Sequence, residues 1–220
     1  MSKVKLAPSL LNADFSDLRE AVSSIEDTAD VIHLDVMDGN FVPNITFGPL
    51  VVKAVRAITD LPLDVHLMIA HPAEYVEDFV RAGADWVSFH AEVTRHPGEI
   101  LGLIHSLSCR AGVVINPQTP AERLYEYLEL MEFALVMTVM PGFGGQAMIP
   151  EALYKVEELK SEAGRRGLGL EVEVDGGVKT ENLHAVLEAG TDIVVVGSSI
   201  FGAPDPRMAA REIRSILDGS

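Results

Sequence analysis

The chain has 220 residues, 48% of them hydrophobic, one cysteine and a formal net charge of −16, which suits one domain over residues 1–220 with a large core. The acidity comes with no Lys/Arg run, which argues against a nucleic-acid partner. No apolar run nears a membrane span, and "MSKVKLAPSLLNADF" is too short for a signal peptide, so the cytoplasm is the expected compartment. A lone Cys109 excludes an internal disulfide or a cysteine-based zinc site and is expected as a buried thiol near a helix end.

In chain order, β-rich runs are expected at 4–11, 30–37, 62–69, 85–92, 111–117, 134–140, 170–177 and 192–200. Helix-period segments fall between and after them, at 15–27, 48–59, 72–83, 98–109, 121–131, 152–164, 180–190 and 208–219. Eight units of roughly 27 residues are compact but sufficient for a closed (β/α)8 barrel. A doubly wound open sheet is the alternative, but no dinucleotide fingerprint is present. "AGAD" (82–85), "RAG" (110–112) and "AGTD" (189–192) each place a glycine where a helix should end before a strand. The acidic residues decorate the helical segments, as a solvated outer face would.

In a parallel barrel both faces of every strand are buried, and functional groups gather where strands end. The run "VIHLDVMDG" (31–39) alternates His33, Asp35 and Met37 on one face. "LDVHLM" adds His66 and Met68, and "EVEVDGG" adds Asp175. Two imidazoles and two carboxylates converging on a lumen make a site for one divalent ion, with zinc, ferrous iron, manganese or cobalt suiting the donors better than calcium or magnesium. Asp64, Glu171 and Glu173 share the alternating face but lie deeper, as hydrogen-bonded structural groups. His90 is a candidate outer partner of the site, and His71, His96, His105 and His184 read as surface residues. Met37, Met68 and Met137 are either core filler or a soft apolar wall over a reaction centre.

Glycines concentrate after the last three strands, in "PGFGGQ" (141–146), "DGGVKT" (175–180) and "VGSSIFG" (196–202). Such loops cup phosphate through bare backbone N–H groups, which act at contact distance whatever the global charge. An ion, two carboxylates and a phosphate cup together suggest chemistry on a phosphorylated ketose. The ion would chelate the ketone oxygen and a neighbouring hydroxyl, stabilising the enediolate formed when the carbon between them loses its proton. Inverting that carbon needs a base on each face, for which Asp35 and Asp175 come from distant strands.

The stretches "APSLLNADF", "HLDVMDGNFVPNITFGP", "DVHLMI", "RAGADWVSFHAE", "GVVINPQTP", "VMTVMPGFGGQ", "EVDGGV" and "VVVGSSIFG" resemble the ribulose-phosphate 3-epimerase family, in order and through nearly the whole chain. The resemblance implies a single TIM barrel of the ribulose-phosphate-binding type. It also implies a metal-dependent interconversion of D-ribulose 5-phosphate and D-xylulose 5-phosphate and a homo-oligomer; among the ions the donor set tolerates, zinc is favoured. It assigns His33, Asp35, His66 and Asp175 as metal ligands, with Asp35 and Asp175 as the acid/base pair. Ser9 and His66 would contact the sugar. Gly142, Phe143, Gly144, Gly145, Asp175, Gly176, Gly177, Gly197 and Ser198 would hold substrate, and Met37, Met68 and Met137 would form a thioether cap. Met140 departs from the pattern, standing where the family usually has a polar residue before "PGFGGQ".

Three rivals remain at this level. A 3-epimerase of a six-carbon ketose phosphate would share every catalytic residue. A Schiff-base aldolase or a decarboxylase needs a lumen lysine, and none of Lys3, Lys5, Lys53, Lys155, Lys160 and Lys179 is well placed. A sugar-phosphate binding module has no use for two opposed bases.

Overall fold

The computed structural model describes residues 3–219; the remaining three residues of the one-domain expectation, Met1, Ser2 and Ser220, lie outside it. Eight parallel strands form one sheet in the order β1-β8-β7-β6-β5-β4-β3-β2. They are β1 (Lys5–Pro8), β2 (Ile32–Met37), β3 (Leu63–Met68), β4 (Trp86–His90), β5 (Arg110–Ile115), β6 (Phe133–Met137), β7 (Glu171–Asp175) and β8 (Ile193–Val196). A parallel bridge between Ser9 and His33 joins the first strand's end to β2 and brings the sheet round into a barrel. Around it run α1 (Leu18–Ile25), α2 (Pro49–Arg56), α3 (Val76–Ala82), α4 (Pro97–Ser106), α5 (Tyr154–Arg166), α6 (Leu183–Glu188), α7 (Ser198–Phe201) and α8 (Pro206–Leu217). None of the described helices is long and apolar enough to cross a membrane.

The period-two alternation sorts side chains into two cores. Ile32, Leu34 and Val36 of β2, Leu63, Val65 and Leu67 of β3, and Val172 and Val174 of β7 face outward into the large apolar cluster shared with the helices. Their neighbours His33, Asp35, Asp64, His66, Glu173 and Asp175 therefore face the lumen. Register stacks them, since His33 pairs with Asp64, Asp35 with His66 and Met37 with Met68.

At the amino end of the strands the lumen is plugged. The Arg110 guanidinium lies 4.3 Å from the Trp86 ring centre, and Trp86 meets Phe133 at 5.7 Å. Glu171 accepts hydrogen bonds from both Lys5 and Arg110. This layer supplies its own counter-charges and leaves the functional end to the opposite rim.

Three expectations are revised. "RAG" does not end a helix: Gly112 lies inside β5, and the turn after α4 is made at Ser108, with φ 58°. Gly112 is small because a Cβ there would overlap the Phe133 ring. The segment 121–130 winds as 3-10 turns and not as an α-helix. Its buried Ala121, Leu124 and Leu128 still face inward, so the apolar spacing that predicts a helix serves the tighter winding too. The eighth run ends at Val196, with Ser198–Phe201 already helical. By contrast, Gly83 (φ 114°) closes α3 in the left-handed region as its position implies. Cys109 is buried just past α4, and burial pushes its thiol up to about 12.

The packing at Gly112 is testable. Gly112→Ala should force the Phe133 ring off its seat and lower stability by about 1–3 kcal/mol, measured by chemical denaturation. Gly112→Ala combined with Phe133→Leu should recover part of the loss.

Candidate active site

The carboxyl ends of the strands hold a cleft of about 500 Å³, counting its open mouth. Asp35, Asp175, Ser9, the three methionines and the glycines of the last three loops line it. His33 and His66 are wholly buried and do not line it. One ligand atom from each of His33, Asp35, His66 and Asp175 falls within 4.8 Å of the others.

Three of these side chains, His33, Asp35 and His66, are held by side-chain partners. His33 Nδ1 lies 2.6 Å from Asp64 Oδ2. The Ser9 hydroxyl donates to Asp35 Oδ2 at 2.6 Å. His66 Nδ1 lies 3.2 Å from Asp35 Oδ1, and His66 Nε2 lies 2.9 Å from His90 Nε2. Asp64 is thus hydrogen-bonded as the sequence suggests, but Glu173 is not. Both its buried carboxyl oxygens lack a hydrogen-bond partner, and Oε1 sits 3.5 Å from His33 Nδ1. Burial, reinforced by the Asp64 charge, raises its pKa well above the usual range.

The donors fit a divalent ion. His33 Nε2 is buried without a hydrogen-bond partner and stands 3.4 Å from Asp35 Oδ1. Donors on a tetrahedron with bonds of about 2.1 Å lie about 3.4 Å apart, which matches this separation and the 3.2 Å between His66 Nδ1 and Asp35 Oδ1. Electrostatics agree. Burial opposes charge on His33, yet Asp35 and Asp64 outweigh it and raise its pKa well above the usual value. The protein groups alone therefore gather negative potential around this buried ring, which a bound cation would answer. Burial also opposes the Asp35 carboxylate, but His33 and His66 hold its pKa far below the usual range. Burial and then the Asp35 charge push Asp175 up to about 7. Burial pushes His90 down to about 4, so its ring is neutral near pH 7.

The methionines divide. Met37 and Met68 pack with Val42, Leu11 and Phe41, while Met137 packs with Val114, Leu135 and Val139; all three also face the cleft. The loops are cross-tied. Asn44 Nδ2 donates to the Gly142 carbonyl at 3.0 Å, and the Ser199 hydroxyl to the Val178 carbonyl at 2.8 Å. Gln146 Nε2 donates to the carbonyls of Met140 and Phe143 at 2.7 and 2.8 Å. Met140 enters this tie through its backbone and leaves its side chain exposed, so its apolar character does not reach the cleft. Gly177, with φ 65°, has no room for a Cβ against the Met148 backbone.

Asn12 was missed by residue-level reading. Its Oδ1 would come within 2.6 and 2.7 Å of a Cβ at Gly144 and Gly197, so the carboxamide lies against two of the glycine loops. Its place in "PSLLN", just after the first strand, was the available signal. No lysine lines the cleft, and Lys5 is engaged at the barrel's other end.

A parallel (β/α)8 barrel whose strand ends carry a largely buried two-histidine, two-aspartate cluster beneath glycine loops defines a barrel enzyme with a candidate metal centre. A sequence model described as "Ribulose-phosphate 3 epimerase family" matches residues 5–201. The ribulose-phosphate 3-epimerase of Bacillus subtilis (strain 168) is 48% identical over 213 residues, covering 96% of this chain and 98% of its own. That of Synechocystis sp. is 48% identical over 219 residues, covering 98% and 95%. A solved structure of 3-hexulose-6-phosphate synthase from Salmonella typhimurium superposes with a TM-score of 0.75 at 18% identity, covering 98% and 99%, and shows the shared barrel. The chain belongs to the ribulose-phosphate 3-epimerase family and is an isomerase.

One zinc ion per chain should bind, and at about a hundredfold excess over its dissociation constant should raise the melting temperature by about 5–10 °C. His66→Ala should abolish most of that shift in a thermal melt. A zinc-independent melting point in the parent protein would count against the donor cluster as a metal site.

Proposed function

We propose that this chain interconverts D-ribulose 5-phosphate and D-xylulose 5-phosphate by inverting C3, with Asp35 and Asp175 as the two acid/base groups. The observation that carries the reading is the pair itself. A buried carboxyl group from β2 and a half-buried one from β7 meet at one cleft, the first held strongly ionised and the second pushed up to about 7. Environments that drive two acids apart in this way provide one ready base and one ready proton donor. A bound ion lowers both values, so the split describes the bias of the protein groups and not the loaded site.

Asp35 takes or returns the C3 proton on one face, and Asp175 does so on the other. The Ser9 hydroxyl, bonded to Asp35 Oδ2, fixes that carboxylate's orientation and shares its negative charge. When bound by His33, Asp35, His66 and Asp175, the ion supplies Lewis-acid stabilisation of the charge that develops on the ketose oxygens. We take zinc as the ion, because two imidazoles and two carboxylates in a four-donor set suit it. Met37, Met68 and Met137 give the reacting carbon an apolar ceiling that excludes water and the wasteful protonation it would allow. The loops at Gly142–Gly145, Gly176–Gly177 and Gly197–Ser198 receive the phosphate through backbone N–H groups, with Phe143, 56% exposed, at the mouth.

The same reading makes the chain a cytoplasmic, one-domain enzyme that self-associates. Ile45 and Leu50, 74% and 85% exposed, are apolar side chains that an assembly would cover, and sedimentation of the purified protein measures it.

Asp35→Asn and Asp175→Asn should each lower epimerisation by on the order of 10³-fold while the protein stays folded. Each variant should still wash solvent deuterium into only one of the two epimers, the one whose C3 proton faces the surviving base. Wash-in to both epimers by either variant would refute the two-base scheme. Ser198→Ala should raise KM several-fold with zinc content unchanged; loss of zinc instead would mean the phosphate cup is misassigned.

A further inference from the structure

A chain of hydrogen bonds leads from the buried ligand set out to the exposed barrel rim. His66 Nε2 faces His90 Nε2 at 2.9 Å, with the two rings stacked 5.0 Å apart. His90 Nδ1 lies 3.3 Å from Glu92 Oε2. The other Glu92 oxygen accepts from the Asn116 backbone N–H at 2.8 Å and from the Thr119 hydroxyl. Both rings are wholly buried, so no water competes for these nitrogens.

The ends of the chain decide where its hydrogens lie. A carboxylate only accepts, so His90 must donate from Nδ1 to Glu92, and a neutral His90 then has a bare Nε2. Only one hydrogen fits between two facing nitrogens, and it therefore sits on His66 Nε2. The His66 Nδ1 lone pair is left pointing at Asp35 Oδ1, 3.2 Å away. Two acceptors at that distance repel unless a cation lies between them. The opposite arrangement puts the hydrogen on His66 Nδ1, donating to Asp35, and leaves His90 Nδ1 without a hydrogen against Glu92. Asp35 and Glu92 thus compete for one direction of the chain, and only the direction that satisfies Glu92 frees His66 to ligate. His33 is simpler, since Asp64 takes its Nδ1 directly and leaves Nε2 free.

We propose that Glu92, acting through His90, is a positioning residue that holds His66 in the Nε2–H tautomer and thereby reserves Nδ1 for the metal. Glu92 is anchored to Asn116 and Thr119 beyond the end of β5, so the tautomer of a ligand on β3 is set from a loop two strands away. Outer partners of ligand histidines commonly matter 10- to 100-fold to metal affinity.

The inference rests on the metal reading above, and the test separates the two. Zinc affinity is measured by competition with a chromophoric chelator, and histidine tautomers by ¹⁵N NMR of the zinc-loaded parent. The expected results are Nε2–H on His66 in the parent and a loss of zinc affinity of about tenfold or more in Glu92→Leu. Glu92→Gln, whose amide oxygen still accepts from His90, should recover most of that affinity. Glu92→Leu also gives up the bonds to Asn116 and Thr119, so melting curves of the zinc-stripped variants measure that loss separately from zinc affinity. Nδ1–H on His66 in the zinc-loaded parent, or Glu92→Leu binding zinc within twofold of the parent, overturns the inference alone. A parent that binds no zinc, cobalt or manganese overturns both it and the metal reading.

Discussion

Everything at this end of the barrel follows from crowding acids around one buried imidazole. Asp64, Asp35 and Glu173 stand 2.6, 3.4 and 3.5 Å from His33, and Asp175 completes the group. Two unit charges about 4 Å apart interact by about 4 kcal/mol at an effective dielectric near 20, so several bare carboxylates cannot coexist here. The groups themselves show the conflict: burial and the Asp64 charge raise the Glu173 pKa well above its usual range, and Asp35 and Asp64 raise that of His33 against its burial. A divalent cation resolves the same conflict with two charges at one point. In the proposed two-base scheme it would also leave Asp35 and Asp175 to trade protons with a substrate instead of with each other.

The two ends of the lumen differ in who supplies the positive charge. At the amino end Glu171 is neutralised by Lys5 and Arg110, whose long side chains also cover Trp86. Those ion pairs are built into the sequence and need nothing from outside. At the carboxyl end the lining includes no lysine or arginine. A barrel strand offers alternate positions to the lumen at both ends, so the same period-two pattern yields a closed structural layer below and an incomplete, ligand-seeking layer above.

This asymmetry explains what could be read from the chain. Strand positions and the lumen face of β2, β3 and β7 were legible because burial on both sides forces strict alternation, and polar residues on an apolar strand announce themselves. Gly112 was misread because a glycine between a helix and a strand looks alike whether it caps the helix or yields to an aromatic ring. The helical Ser198–Phe201 was hidden because Val194, Val196 and Ile200 keep an alternating pattern that a buried short helix also satisfies. Asn12 could not be assigned from its own neighbourhood, since it meets Gly144 and Gly197 only after the barrel has closed. The tautomer chain was half visible. His90 stands out at a strand end, but nothing in the sequence singles out Glu92, whose contacts with His90, Asn116 and Thr119 arise only in the fold.

A protein with a net charge of −16 would repel a phosphorylated ligand at long range, yet that repulsion is screened beyond about 8–10 Å of solvent at physiological ionic strength. What decides binding is the last few ångströms, where glycine loops allow an anion to reach backbone N–H groups that no side chain shields. The price is mobility, because bare glycine loops lose much conformational freedom on ordering. Here the ties from Asn44 to Gly142, from Gln146 to Met140 and Phe143, and from Ser199 to Val178 bear that cost in advance. Each uses a side-chain N–H or O–H to hold a carbonyl and takes up no backbone N–H. The donors are thereby left for the ligand, which is how an acidic chain can present a locally positive cup.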